Sequence, residues 1–283
     1  MLMSIKIARD DNRTLEQIKQ HYELEKGLAH QLKTADKQER KYLYTALYDQ
    51  LFEQIPHHPQ LARKADVAES QQEVSRKLKL LARYLVPELV FLEIGPGDCR
   101  LSLEVARQVK KVYAIDVSNE ITKNLNCPDN FELIIFDGYT IPLPANIIDL
   151  AYSNQLMEHL HPDDAVDQLY EVYRLLKSGG IYICITPNRL SGPHDVSKYF
   201  DETASGFHLK EYTCTELADL FSVVGFSKIT SYIGGKGLYM KFPLALIQWV
   251  ERFLSSLSFS VRSKIARTMF FRALLGVILV AEK

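Results

Sequence analysis

From residue 89 onward, short apolar runs alternate with amphipathic stretches. "LVFLEI" (89–94) precedes "RLSLEVARQV" (100–109), and "KVYAIDVS" (111–118) precedes "NEITKNLN" (119–126). "FELIIFDG" (131–138), "IIDLAYSN" (147–154) and "GIYICITPN" (180–188) continue the series, with "DDAVDQLYEVYRLLKS" (163–178) between the last two. Short continuous apolar runs suit strands buried on both faces, and the intervening stretches place their apolar residues at helical spacing. Repeated strand–helix–strand units predict an α/β fold, a parallel sheet with helices on both faces. A further helix, "CTELADLFSVVG" (214–225), and the strands "FSKITSYI" (226–233) and "ALLGVILVAEK" (273–283) bring the sheet to seven strands.

Two segments fall outside this pattern. Residues 12–54 read as helical, "IPHHPQ" (55–60) interrupts because two close prolines do not fit inside a helix, and a second amphipathic helix follows at about 66–85. Residues 1–86 are therefore expected to form an N-terminal helical extension, and 87–283 the α/β domain. Between the last two strands, residues 234–272 form an insertion in which Leu246, Ile247, Val250, Phe253, Leu254 and Leu257 share one helical face.

The first strand ends in "FLEIGPGDCR" (91–100), where Gly95 and Gly97 allow a sharp turn or a close approach. In an open parallel sheet, ligands bind beyond the carboxyl ends of the strands, at the point where strand order reverses. A tight turn with no ligand is the alternative. Asp116 ends the second strand, where a carboxylate accepts from ribose hydroxyls. Asp137, followed by Gly138, ends the third and is placed to accept from an adenine amino group. Glu93 lies within the first strand; it would repel a pyrophosphate and suit an ammonium-bearing ligand.

"LEIGPGDCR", "YAIDVS", "IIFDG", "LAYSNQLMEHL" and "RLLKSGGIYICITPN" together resemble the successive motifs of the class I S-adenosylmethionine-dependent methyltransferases. That resemblance implies a Rossmann-like, doubly wound, mostly parallel sheet with an antiparallel last strand. It also implies an enzyme with S-adenosyl-L-methionine as cofactor. Glu93, Gly95 and Gly97 would contact the methionine end, Asp116 the ribose and Asp137 the adenine, with Val117 and Gly138 also binding the cofactor. Asn154 would lie beside the sulfonium. Many members carry a third glycine where this chain has Cys99 or Arg100. An NAD-binding oxidoreductase domain is the competing reading.

The remaining chemistry concentrates in "SNQLMEHLHP" (153–162) and "GFHLKEYTCTEL" (206–217). Gln155, Glu158 and His159 have the i, i+3, i+4 spacing of one helical face, and His208 comes from the loop after the fifth strand. Glu158, His159 and His208 are the catalytic candidates, with histidine the usual acid or base near neutral pH. The set is also similar to a divalent-metal site in two branches of the family, the ubiquinone-biosynthesis O-methyltransferases and the small-RNA 2′-O-methyltransferases. Gln155 replaces an acid there, which weakens a hard-cation site. No metal is expected.

The acceptor is expected to be a small, apolar metabolite methylated on oxygen, with RNA 2′-O-methylation as an alternative. Lys plus Arg is 34 against 35 for Asp plus Glu, which gives no overall attraction to nucleic acid. The 234–272 insertion is locally basic: Lys236, Lys241, Arg252, Arg262, Lys264, Arg267 and Arg272 stand against Glu251 alone. It reads as a helical lid, with contact to a lipophilic acceptor or an anionic membrane surface as its sharper use. The four scattered cysteines form no C-x-x-C pair. "MLMSIKIARDDNRTLEQ" lacks a signal peptide's apolar core, and "ALLGVILVA" (273–281) falls short of the roughly 20 residues a spanning helix needs. A cytoplasmic protein is expected.

Overall fold

The structure, a computed structural model, describes residues 7, 11–59, 61, 67–117, 127–235 and 237–283. Its centre is an eight-stranded sheet in the order β3-β2-β1-β4-β5-β8-β6-β7. The strands are β1 (Val90–Ile94), β2 (Lys111–Asp116), β3 (Phe131–Ile135), β4 (Ile148–Asn154), β5 (Leu176–Thr186), β6 (Ser227–Gly235), β7 (Leu238–Phe242) and β8 (Val277–Glu282). β1 to β5 pair in parallel, and β8 lies antiparallel between β5 and β6. The chain runs outward from β1 to β3, then returns to start β4 on the other side of β1. The carboxyl ends of β1 and β4 therefore flank the switch point, where a crevice opens.

Alternation along each strand sends side chains to two apolar clusters, one on each face of the sheet. Leu92, Ile115, Ala151, Tyr182, Cys184 and Leu279 join one cluster, covered by α5 (Pro162–Leu175) and α6 (Cys214–Val224). Phe91, Val112, Ala114, Leu150, Ile183 and Val280 join the other, under α3 (Val67–Leu81) and α4 (Arg100–Ala106). Burial on both faces explains why these strands read as apolar runs.

The N-terminal segment forms two helices, α1 (Leu15–Thr34) and α2 (Lys37–Gln54), where the sequence reads as one. The break follows from Asp36, whose side chain accepts from Gln38 and Glu39 N–H while Glu39 reaches back to the Asp36 N–H, a capping box that starts a new helix. α2 is bolted to α5 by a buried ion pair: Arg40 Nε and Nη2 each donate to Asp164 at 2.7 Å, and the Tyr44 hydroxyl donates to Asp164 at 2.8 Å.

The insertion also departs from a purely helical lid. β7 pairs antiparallel with β6 and extends the sheet from seven strands to eight. Only then come α7 (Leu244–Ser255), α8 (Phe259–Ala266) and α9 (Met269–Leu274). α5 stops at Leu175 and β5 begins at once, earlier than the sequence suggests. The helix expected at 119–126 lies outside the described residues, as do Ser118, Asp66 and Lys236.

Candidate active site

Three left-handed residues build the turn after β1: Gly95 at φ 66°, Gly97 at φ 60° and Cys99 at φ 57°. Gly95 N–H donates to Ile115 O at 2.9 Å, which straps the turn to β2. A Cβ at Gly95 would stand 3.3 Å from Leu156 Cδ1, so the segment after β4 closes over this turn. Cys99 occupies the left-handed position directly before α4 although it is not glycine, and its thiol is buried.

The acids predicted from sequence line this edge. Glu93 is buried, accepts from the Ser102 hydroxyl of α4, and is pushed up to about 7 by desolvation. Asp116 ends β2, its Oδ1 accepting from Val117 N–H at 2.7 Å. Asp137 is exposed just past β3, and its Oδ1 accepts from Tyr139 and Thr140 N–H at 2.9 and 3.2 Å. Although burial raises its carboxyl, those bonds and Lys41 hold it below the usual range. Gly138 is left-handed at φ 84°, and Asn154, half-buried, ends β4.

α2 roofs this edge, which the sequence did not reveal. Thr45 Oγ1 donates to Val117 O at 2.8 Å, Lys41 Nζ stands 3.8 Å from Asp137 Oδ2, and a Cβ at Gly138 would lie 3.9 Å from Tyr44 Cδ2.

A second set gathers beyond β4 and β5. Glu158, His159 and His208 bring one ligand-type atom each within 4.8 Å of one another. Glu158 is fully buried; its Oε2 accepts from the Thr186 hydroxyl at 2.7 Å, and its Oε1 has no hydrogen-bond partner among the described residues. Desolvation raises it to about 7. His159 Nδ1 lies 3.0 Å from Phe207 O; a carbonyl only accepts, so Nδ1 carries the proton and Nε2 keeps the lone pair. Burial and the neighbouring His208 hold His159 down to about 3. Burial would lower His208 too, but its 2.7 Å bond to Glu211 and the Glu158 charge outweigh that and lift it to about 9. His208 is thus a fixed cation and His159 a neutral ring, 4.9 Å apart and edge to face.

Gln155 does not join them. It sits at φ 56°, exposed, before the short 3₁₀ turn Met157–His159, so the helical spacing predicted for it is broken by one left-handed residue. The groups that do join come from α1. Glu25 is buried, its Oε2 without a hydrogen-bond partner among the described residues and 3.7 Å from His21 Nε2, and desolvation together with Asp195 raises it to about 8. His21, Glu25 and His58 have metal-type spacing as well. However, Arg13 Nη1 contacts His21 Nδ1 at 2.6 Å, and a guanidinium only donates. The neutral His21 proton therefore sits on Nε2, facing Glu25, which disfavours a metal there. The His21–Glu25 pair has i, i+4 spacing, but nothing local to α1 signalled that it would reach residues 206–208.

The fold is the Rossmann-like architecture of the methyltransferases. Residues 92–184 match the family model for the methyltransferase domain. A protein of Mycolicibacterium smegmatis described as an S-adenosylmethionine-dependent methyltransferase is 33% identical over 86 residues, 30% of this chain and 31% of its own length. Phosphoethanolamine N-methyltransferase 1 of Zea mays is 32% identical over 119 residues, 40% of this chain and 23% of its own. The chain thus spans less than a third of the length of either curated relative. A methyltransferase from Archaeoglobus fulgidus superimposes with a TM-score of 0.51 at 20% identity, covering 75% of this chain and 94% of that one. The Haloferax volcanii complex between the Trm112 methyltransferase activator and a methyltransferase gives 0.54 at 18%, covering 78% and 96%. At such identities the structural likeness speaks for the fold. Residues 92–184 thus carry the methyltransferase-domain pattern, on a Rossmann-like methyltransferase fold.

Proposed function

We propose that this chain transfers a methyl group from S-adenosylmethionine to a small, apolar acceptor, with oxygen as the acceptor atom. The observation that carries this reading is the position of Tyr48. It stacks on Phe207 at 4.7 Å, and its hydroxyl is held protonated by burial and by the charges of Glu25, Glu158 and Asp116. The Tyr48 ring also stands 6.0 Å from that of His159, while Thr45 of the same helix bonds Val117 O, so α2 adjoins both the nucleoside edge and the Glu158–His159–His208 set.

The residues present fit the cofactor. The edge at β1–β3 offers carboxylates and left-handed glycines: Glu93 suits the ammonium, Asp116 and Val117 the ribose, Asp137 and Gly138 the adenine. Glu93, buried and raised, gains from a cation. A diphosphate would instead meet Glu93 and Asp98 beside the short helix α4, which favours the sulfonium donor over NAD. S-adenosylmethionine supplies a methyl carbon already activated for in-line displacement.

The chain's own work is placement and proton handling. Tyr48, Phe52 and Phe207 form an aromatic wall that excludes water, and holding the reactants collinear is worth about 7–11 kcal/mol in favourable cases. A hydroxyl acceptor must lose its proton. Glu158, near 7, is the group to receive it, the free Nε2 of His159 is placed to accept a hydrogen bond from the acceptor hydroxyl and orient it, and the His208 cation held by Glu211 stabilises the Glu158 carboxylate. Titration calorimetry with S-adenosylmethionine, S-adenosylhomocysteine and NAD tests the assignment. Saturable binding of the first two is expected; binding of NAD alone would overturn it.

A further inference from the structure

We propose that the α7–α9 face is a docking surface for an anionic lipid bilayer. α7 is divided lengthwise. Ile247, Glu251 and Leu254 face inward, while Leu246, Trp249 and Phe253 are exposed on the other side, with Trp249 stacked on Phe253 at 6.3 Å. Met240 on edge strand β7, and Met269 and Phe270 on α9, add to the exposed apolar surface; Trp249 is 65% and Met269 89% exposed. So many large apolar side chains in solvent within one segment mark an interaction surface.

The charge says what covers it. Glu251, the only acid in 234–272, is spent internally. Its Oε1 accepts from Asn188 Nδ2 and Cys214 N–H at 2.7 Å, and its Oε2 from Thr215 N–H at 2.9 Å. Lys241, Arg252, Lys264, Arg267 and Arg272 are exposed. Exposed apolar side chains interspersed with cations in one segment match acyl chains beneath anionic headgroups. A second copy is a poor occupant, because a two-fold interface sets the same cations against each other. The Glu251 bonds tie this face to Asn188 and to the start of α6, beside the proposed acceptor edge.

Trp249 is the only tryptophan in the chain, so the intact protein carries its own reporter. Vesicles of phosphatidylcholine with about 30% phosphatidylglycerol should co-sediment the protein at low salt and shift Trp249 emission to the blue. Neutral phosphatidylcholine vesicles should do neither, and about 1 M salt should release most of the protein. Arg252→Glu combined with Arg272→Glu should weaken binding about 25-fold or more, at roughly fivefold per cation removed. No co-sedimentation at low salt would overturn the proposal. So would equal binding to neutral vesicles, binding with Trp249 emission unchanged, or a concentration-dependent blue shift without lipid, which would mean self-association through this face.

Discussion

His159 donates a hydrogen bond from its Nδ1–H to a backbone carbonyl, and that single bond decides which ring nitrogen is left for chemistry. Under the proposed function, His159 orients the acceptor, so His159→Ala should lower kcat by about 10²-fold and leave S-adenosylmethionine affinity within about threefold. Single-turnover rates together with calorimetry make the comparison, and full activity would remove His159 from the reaction. At this scale the sequence was informative wherever a residue's place follows from its own strand. Glu93, Gly95, Gly97, Asp116 and Asp137 lie along one sheet edge because each sits in or just beyond a strand. Gln155 was misplaced because spacing arguments assume right-handed φ, and it has φ 56°. Glu25 and Tyr48 were invisible because their neighbours, residues 206–208, lie far along the chain, and no local pattern encodes that meeting.

Among the elements, α2 carries the most consequence, because it roofs the nucleoside edge and supplies Tyr48. What fixes it is the Arg40–Asp164 pair, buried and bidentate, with Asp164 in the first turn of α5 where the helix dipole also favours a negative charge. Breaking one member leaves the other buried and unpaired, so Arg40→Ala or Asp164→Ala should each cost about 3–5 kcal/mol. The double variant should cost less than the sum, and urea unfolding of all four proteins measures the coupling. Cofactor affinity should fall with the helix, which separates this effect from a distant loss of stability. Element boundaries were the less legible part of the sequence. The Asp36-to-Glu39 capping box was present to be read inside 12–54, whereas β7 owes its strand character to pairing with β6. A short run of residues cannot announce a partner.

Across the whole molecule, the buried acids set the pH response. Glu93, Glu158 and Glu25 are raised to about 7, 7 and 8, and His208 to about 9. His21 and His159 are held near 3, so their contributions oppose folding only below the ordinary histidine range. Above about pH 6.5 the unfolded chain has already released the carboxyl protons that the folded one still holds. Each raised group therefore stabilises fully at low pH and loses that contribution as pH climbs through its folded value. Thermal unfolding without ligand should show Tm falling from about pH 6.5 to 8.5, and Glu25→Gln should flatten the slope. A Tm that rises over this window would contradict the burial of these carboxyls.

The strand order has a further result for how the chain is made. β8 follows the other seven strands in sequence, yet it occupies the place between β5 and β6. On a ribosome, the β6–β7 hairpin leaves the exit tunnel with no neighbour to accept it, and the apolar helices α7 to α9 follow while the central gap is still open. Only when residues 277–282 appear can the two halves zip together. Synthesis therefore delivers the keystone after the arch.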